Sequence, residues 1–368
     1  EGCEIMGYTA LYRKFRPQTF AEMVGQEHIT RTLRNQIMAN RVGHAYLFNG
    51  GRGTGKTTSA KVLARAINCL NPKDGEPCNE CEICKAALNG SLTDIVEMDA
   101  ASNSGVDNIR RVIDDAKRKP IDGEYKIFII DECHSLSSGA WQALLKLLEE
   151  PPKTAIFILC TTDPQKIPNT ILSRVQRYNF QKISNDGIER RLYDICLNEG
   201  LDDIPKKDVL GYIAKVSNGG MRDAITLLDK CISLSKELTL ENVLEIIGAE
   251  DYESMFELTM NILNNQKSEV FKFVDNVFTS GKDLKQFVKD YCKFILDIEA
   301  YILLSDFKYL KIPNTEANKK YLDDIKNNYE PNVISEILDT VINLDYRIKW
   351  DNDPKTIIQA TLLLICEE

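Results

Sequence analysis

The 368-residue sequence contains no apolar run of about 18 residues, so no membrane-spanning helix is predicted. Its first residues also lack the basic segment followed by an apolar one that opens a secretory signal. We therefore expect a cytoplasmic protein with no membrane partner. Basic residues are in the minority, and the formal net charge of −9 argues against a protein that coats nucleic acid, although it does not exclude a local basic surface.

A disulfide framework is also not expected, because the eleven cysteines form an odd number and no secretory signal precedes them. Four of them follow the pattern C-x8-C-x2-C-x2-C, namely Cys69, Cys78, Cys81 and Cys84. Four thiolates at this spacing are typical of a tetrahedral structural Zn²⁺ site without an open coordination position. An iron–sulfur cluster and four free thiols are the alternatives. We interpret residues 69–84 as a zinc-binding insertion.

The first half of the chain alternates short β-rich apolar runs with helical patterns. This alternation is typical of an α/β fold with a parallel sheet, and the predicted strands are 45–49, 94–98, 126–131, 155–160 and 175–180. Beyond residue 182 the apolar residues recur at helical spacing instead. The predicted domains are an α/β domain over 1–182, a small helical domain over 183–248 and a larger all-α domain over 249–368.

Residues 50–57 form the motif G-x-x-x-x-G-K-[ST] between a predicted strand and a predicted helix. Glycines let backbone N–H groups converge on phosphate oxygens there, and the helix N-terminus adds partial positive charge. Lys56 is expected to reach the β- and γ-phosphates of a nucleotide, and the Thr57 hydroxyl to coordinate Mg²⁺. The predicted nucleotide-binding residues of this loop are Gly50, Gly51, Arg52, Gly53, Thr54, Gly55, Lys56, Thr57 and Thr58.

A later apolar strand ends in two carboxylates, Asp131 and Glu132. In this position we expect Asp131 to hold Mg²⁺ and Glu132 to polarise the attacking water. The next predicted strand ends in Thr161 and Thr162, and its carboxyl end should lie beside that of the Asp131 strand in a parallel sheet. A hydroxyl there can bond the water or the γ-phosphate, and a simple turn is the alternative.

Two arginines are candidate partners of the γ-phosphate. Arg174 precedes the last predicted strand, and Arg222 opens a helix after two glycines. A planar guanidinium suits the charge that develops during phosphoryl transfer, whereas structural salt bridges are the alternative. A basic stretch at 110–119 has the spacing to meet a DNA backbone, but acidic residues interrupt it and favour a solvated helix face.

Together these motifs resemble the gamma/tau family of bacterial DNA polymerase III subunits, the AAA+ ATPases of the clamp loader. The resemblance covers nearly the whole chain from Met6. Besides the phosphate loop, the cysteine insertion and the acidic pair, it includes the segments 12–17, 24–26, 144–152, 161–166, 173–174 and 220–224.

The resemblance implies roles that spacing does not show. Residues 11–17 and 24–26, with Val24 among them, would surround the adenine. Thr162 would be the first sensor and Arg222 the second, reaching the γ-phosphate from a helical lid. Arg174 would act in trans on the site of a neighbouring subunit. The family's usual Ser-Arg-Cys reads Ser-Arg-Val here, which keeps the arginine.

The resemblance also implies partners. Residues 249–368 would form a collar that joins the chain to other clamp-loader subunits, or to further copies of itself, in a five-subunit ring. The ring would bind ATP, open the sliding clamp and release it on primer-template DNA as ATP is hydrolysed. No polymerase active site is found in this chain.

Two other functions fit parts of the sequence. Residues 131–134 spell a D-E-x-H box, which also occurs in DNA helicases, but a helicase needs a second stranded domain where this sequence has helical patterns. A ring scaffold that does not hydrolyse ATP predicts damage at the phosphate loop or the acidic pair, and both are intact.

Overall fold

The computed structural model describes residues 8–201, 207–234, 238–247, 250–281, 283–349, 351 and 353–366. The chain forms two compact units, Glu1–Leu238 and Thr239–Glu368. The finer division into domains 1–182, 183–248 and 249–368 stays a prediction, and residues 248 and 249 at its second boundary lie outside the described residues.

A parallel sheet lies at the centre of the first unit. Its strands are β1 (Ala45–Gly50), β2 (Ile95–Asp99), β3 (Lys126–Asp131), β4 (Ala155–Thr161) and β5 (Gln176–Phe180). Their spatial order is β2-β3-β4-β1-β5. The five predicted strands are confirmed, with ends shifted by one residue at most. Because Ile130 of β3 pairs with Leu159 of β4, the carboxyl ends of these two strands lie side by side, as predicted.

Helices cover both faces of the sheet. The helices of the first unit are α1 (Leu11–Lys14), α2 (Glu27–Met38), α3 (Lys56–Ile67), α4 (Glu82–Leu88), α5 (Val106–Ala116), α6 (Ser138–Glu149), α7 (Asn169–Leu172), α8 (Asn185–Asn198), α9 (Lys207–Val216) and α10 (Met221–Leu234). Successive strand residues point to opposite faces. Ile129 therefore belongs to the same core cluster as Leu63 of α3, whereas Phe128 joins Val112 of α5 and Leu144 of α6. A sheet buried on both sides explains why its strands read as continuous apolar runs.

The second unit is built from helices. They are α11 (Leu240–Ile247), α12 (Glu250–Leu263), α13 (Lys267–Thr279), α14 (Leu284–Leu304), α15 (Glu316–Asn328), α16 (Pro331–Ile348) and α17 (Pro354–Ile365). Val288, Tyr291 and Ile295 lie on one face of α14, and they share a buried cluster with Val341 of α16. The predicted fold class, an α/β domain with a cysteine insertion followed by helices, is therefore confirmed. The first unit contains the parallel sheet and the cysteine cluster, and the second unit is helical. Within the part of the chain that the structure describes, every helix is too short or too polar to span a bilayer.

Candidate functional site

The phosphate loop connects β1 to α3, and its path requires glycine. Gly53 and Gly55 have φ angles of +72° and +97°, a left-handed conformation that residues with side chains rarely adopt. A Cβ on Gly53 would lie 3.0 Å from the Cα of Gly220. The N–H of Met221 donates to the carbonyl of Gly53 at 3.0 Å. The start of α10 is therefore attached directly to the loop, with backbone against backbone.

A cavity of about 320 Å³ opens beside this loop, within the size range of small-molecule sites. Its walls include residues that the sequence predicts, namely Tyr12, Phe15, Arg16, Pro17, Val24, Arg52, Gly53, Thr54, Gly55, Lys56, Thr57, Thr58, Asp131, Glu132 and Arg222. Residues outside every quoted motif also line it, namely Glu22, Met23, Ile183, Arg191 and Ile225. Ile183, Arg191 and Ile225 are contributed by the region of α8 and α10, and no spacing rule relates them to the loop.

Lys56 is almost fully buried at the wall of this cavity. Its ammonium donates to the carbonyls of Gly50 and Gly51, at 2.9 and 2.7 Å. Burial lowers the pKa of Lys56, and the nearby carboxylates of Glu132 and Asp131 act in the opposite direction. A buried cation thus lines the cavity at the base of the loop.

The predicted acidic pair faces the loop across the cavity. The hydroxyl of Thr57 donates to Oδ2 of Asp131 at 2.7 Å, although the two residues are 74 positions apart in the sequence. A hydroxyl and a carboxylate in contact are oxygen ligands of the kind that Mg²⁺ uses beside substrate phosphates. Since the two groups already meet here, the residues present fit a magnesium ion.

Glu132 follows Asp131 and is held by polar neighbours. Its backbone is left-handed, with φ of 45°, which turns the side chain away from the line of β3. Oε2 accepts a hydrogen bond from the hydroxyl of Thr162 at 3.1 Å. Nδ1 of His134 lies 3.4 Å from the same oxygen and 3.1 Å from the hydroxyl of Thr161. Thr162 therefore contacts the cavity through Glu132, although its own side chain is not part of the wall.

The two arginines occupy different places. Arg222 lines the cavity, and its Cζ lies 4.8 Å above the ring of Tyr12, within cation–π distance. Arg174 lies away from the cavity, at the end of α7. There it pairs with Glu149 at 2.7 Å and donates to the carbonyl of Thr170 at 2.7 Å. The structure brings Arg222 to the phosphate loop of its own chain and keeps Arg174 apart from it.

The four clustered cysteines converge between α3 and β2. Their sulfur atoms all lie within 4.8 Å of one another, and the sulfurs of Cys78 and Cys84 are 3.9 Å apart. A tetrahedral Zn²⁺ with Zn–S bonds of about 2.3 Å needs sulfurs about 3.8 Å apart, so the donor set fits this ion.

Backbone N–H groups point at three of these sulfurs. The N–H groups of Cys78, Cys81 and Cys84 donate to the sulfurs of Cys69, Cys78 and Cys81, at 3.3, 3.3 and 3.4 Å. Burial opposes ionisation of Cys78, yet hydrogen bonds from the N–H groups of Glu80 and Cys81 and from the side chains of Cys69 and Cys81 lower its pKa to about 6. Such donors stabilise thiolate, the form that binds metal.

The chain is similar in sequence to known proteins. Residues 25–184 match the family model described as DNA polymerase III, delta subunit. The chain is 40% identical over 365 residues to DNA polymerase III subunit tau of Bacillus subtilis (strain 168), covering 98% of this chain and 64% of that protein. The chain thus spans less than two thirds of this relative.

A second relative is matched along its full length. DNA polymerase III subunit gamma of Buchnera aphidicola subsp. Acyrthosiphon pisum is 32% identical over 364 residues, which cover 98% of this chain and 99% of that protein. The resemblance noted from the sequence motifs is therefore confirmed. The chain belongs to the gamma/tau family of bacterial DNA polymerase III subunits.

Proposed function

We propose that the chain is the ATPase subunit of a bacterial clamp loader, and that ATP binding and hydrolysis drive loading of the sliding clamp onto primed DNA. The observation that carries the proposal is the contact between Thr57 and Asp131 in a cavity that also holds Lys56 and Glu132. Loop, hydroxyl, cation and carboxylates are the components that phosphoryl transfer requires in this class of protein.

Each side chain has a role that its position supports. Lys56 would leave the carbonyls of Gly50 and Gly51 and bind the β- and γ-phosphates. Thr57 and Asp131 would hold Mg²⁺, which would neutralise charge on the phosphates. Glu132 would accept a proton from the attacking water. The hydroxyl of Thr162 would orient the Glu132 carboxylate for this step.

The segment that carries Tyr12 is the proposed adenine side of the cavity. The N–H of Leu11 donates to Asp229 of α10 at 3.0 Å, and the hydroxyl of Tyr8 bonds the same carboxylate. Arg222, at the start of this helix, lies over the ring of Tyr12. Movement of α10 would therefore change the adenine side and the phosphate side of the cavity together, which suits a lid that responds to nucleotide.

Replacement of Gly53 by alanine is expected to weaken nucleotide binding at least tenfold, because the new Cβ would press on Gly220. The matched control is Gly200→Ala, since Gly200 has a similar φ of +67° and a methyl group added there would meet nothing within 4 Å. Both changes should cost roughly 1–2 kcal/mol of stability from the left-handed backbone. Titration of a fluorescent ATP analogue checks this, and equal weakening in both variants would contradict it.

Arg174 is proposed to complete the site of the neighbouring subunit. Its side chain is about one third exposed, and that of its ion-pair partner Glu149 is more exposed still. Exposed pairs of this kind contribute little to stability, so the arginine is available to a phosphate on an adjoining chain. The other proposed partners are those that the family resemblance implies. They are the remaining clamp-loader subunits of a five-subunit ring, the sliding clamp and primer-template DNA.

Arg174→Ala is expected to reduce ATP hydrolysis by the reconstituted ring by roughly a thousandfold, the effect of an arginine supplied to a phosphoryl-transfer site. The isolated chain should bind nucleotide as before, because Arg174 lies outside its own cavity. Arg177→Ala is the control, since Arg177 is a nearby exposed arginine. Steady-state hydrolysis is measured with and without sliding clamp and primed DNA. A rate indifferent to clamp and DNA in the unaltered ring would refute the clamp-loader function.

The four cysteines are proposed to hold Zn²⁺ in a structural role. All four donors come from the protein, so no position would remain for a reacting water.

Of the two other functions that fit parts of the sequence, a helicase is disfavoured because the described residues of the second unit form helices. A scaffold without hydrolysis is disfavoured by the close arrangement of Thr57, Asp131 and Glu132.

A further inference from the structure

A second cavity of about 260 Å³ lies beside the proposed nucleotide cavity in the first unit. Lys61 and Arg65 of α3 form one wall, and Arg13 and Arg16 form another. Glu97 of β2 contributes a carboxylate. Since a water molecule takes about 30 Å³, the space is large enough for a polyatomic ligand. None of the motifs in the sequence predicts this cavity.

The charges around this cavity are unbalanced. Four cationic side chains line it against one carboxylate, Glu97, which pairs with Lys61 at 2.5 Å. Arg13 contacts Tyr12, donating to its hydroxyl at 3.1 Å and lying near its ring. The side chain of Arg16 has no hydrogen bond or ion pair with any residue that the structure describes. Two guanidinium groups thus face the cavity without a carboxylate of their own.

Arg65 supplies a fixed charge at the back of the cavity. Its side chain is 5% exposed, donates from Nε to Asn79 at 2.8 Å, and also bonds the carbonyl of Gln18. Neutral oxygens orient this guanidinium without cancelling its charge. Burial lowers the pKa of Arg65, and the nearby groups of Cys84, Glu22 and Cys69 act in the opposite direction. A buried cation in a low-dielectric wall strengthens the field inside the cavity more than an exposed one does.

We propose that this second cavity binds a small phosphate-bearing anion of the diphosphate type, in addition to the nucleotide. Guanidinium groups match phosphate oxygens in shape and charge, and three of the four cations are arginines. The two cavities share Arg16, Pro17 and Thr58 as walls, so they adjoin. The inference goes beyond the proposed function and depends on it only in that the first cavity is assigned to ATP.

Two sources can present this chemistry. A free diphosphate can enter beside a bound nucleotide, or a nucleotide in the first cavity can extend an additional phosphate group past Arg16 into the second. Both place phosphate oxygens among Arg13, Arg16 and Lys61. They differ in whether the anion binds independently of the nucleotide.

Calorimetric titration of the full chain tests the proposal. In one arm the first cavity is saturated with a non-hydrolysable ATP analogue and inorganic pyrophosphate is added. In the other arm the affinity of adenosine 3′-phosphate 5′-diphosphate is compared with that of ADP. One equivalent of bound pyrophosphate supports a free anion, and tighter binding of the 3′-phosphorylated nucleotide supports a nucleotide-borne one.

Variants assign the effect to the cavity. Arg13→Gln and Lys61→Gln should each weaken the phosphate-dependent binding roughly tenfold, because each removes one charged donor. Lys85→Gln, on the exposed side of α4, is the matched control and should change nothing. Affinity for the ATP analogue should stay the same in Lys61→Gln and Lys85→Gln, since neither residue lines the first cavity, which separates this test from that of the proposed function.

The proposal is overturned if no pyrophosphate binds in the first arm and the 3′-phosphate adds no affinity in the second, while the ATP analogue binds normally. It is also overturned if the variants bind phosphate as tightly as the unaltered chain. A third outcome is that a single-stranded oligonucleotide binds, that this binding is weakened by Lys61→Gln, and that pyrophosphate does not bind. This outcome would overturn the small-anion proposal and assign the cavity to nucleic acid.

Discussion

Glu132→Gln is expected to reduce ATP turnover by the reconstituted ring roughly a hundredfold to a thousandfold, within the range that a general base contributes. The amide has nearly the same shape as the carboxylate but cannot accept a proton from water. Glu132 is also the residue to which Thr162 donates its hydroxyl hydrogen, so the orienting hydrogen bond can persist with the amide oxygen. Nucleotide affinity should stay within a few-fold, since Lys56, Thr57 and Asp131 are untouched.

The measurement is single-turnover hydrolysis together with direct titration of ATP. Glu124→Gln is the matched control, because Glu124 is exposed and lies just before the opposite end of β3. Unchanged hydrolysis in Glu132→Gln would remove this carboxylate from the mechanism. Loss of ATP binding alongside hydrolysis would indicate that Glu132 supports the fold of the cavity instead of the reaction.

Cys84→Ser is expected to abolish stoichiometric zinc binding and to destabilise the segment 69–84. Cys84 is fully buried in the first turn of α4, and its N–H donates to the sulfur of Cys81, which caps this helix. Structural zinc supplies roughly 10–16 kcal/mol in small zinc peptides, and a fraction of that free energy should be lost here, because α3 and the sheet retain their own core. We therefore expect local unfolding before global unfolding.

Metal analysis, thermal unfolding and limited proteolysis within 69–84 test this prediction. Cys292→Ser makes the same chemical change at a partly buried cysteine of the second unit, outside the cluster, and should retain the metal. Iron in place of zinc in the unaltered protein would support the iron–sulfur alternative. A protein that keeps one equivalent of zinc in Cys84→Ser would contradict four-cysteine coordination.

The cysteine segment has a structural connection to the nucleotide site. Arg65 stands in the last turn of α3, the helix that begins at Lys56, and bonds Asn79 within the cysteine segment. Glu76 of the same segment accepts the N–H of Phe20 at 2.6 Å. Loss of the metal should therefore disturb the second cavity first, since Arg65 and Gln18 line it.

Local sequence patterns were sufficient for several features of this protein. Each of these features occupies a short stretch of chain with a fixed spacing of residue types. They are the five strands, the loop at 50–57, the acidic pair and the cysteine cluster. Glycine, for example, is needed at Gly53 and Gly55 whatever the remainder of the fold does, because the loop needs positive φ angles. Periodicity likewise predicted helices after residue 182, since burial of one face imposes the same spacing in any helical domain.

Other features depend on packing between distant segments and could not be read from spacing. The hydrogen bond of Thr162 to Glu132 follows from the pairing of β3 with β4. The contact of Arg222 with Tyr12 requires α10 to reach the N-terminal segment, more than 200 positions away. Contacts of this kind arise from the burial of separate apolar faces against one another, and that arrangement is a property of the whole core.

The position of Arg174 and the second cavity illustrate the same distinction. An arginine after Ser173 is visible in the sequence, but only the folded chain shows it turned toward Glu149 and away from its own phosphate loop. The cations at 13, 16, 61 and 65 belong to no common motif, and they converge because α3, β2 and the N-terminal segment pack together. Motifs of adjacent residues encode the individual chemical groups, whereas long-range packing sets which groups share a cavity.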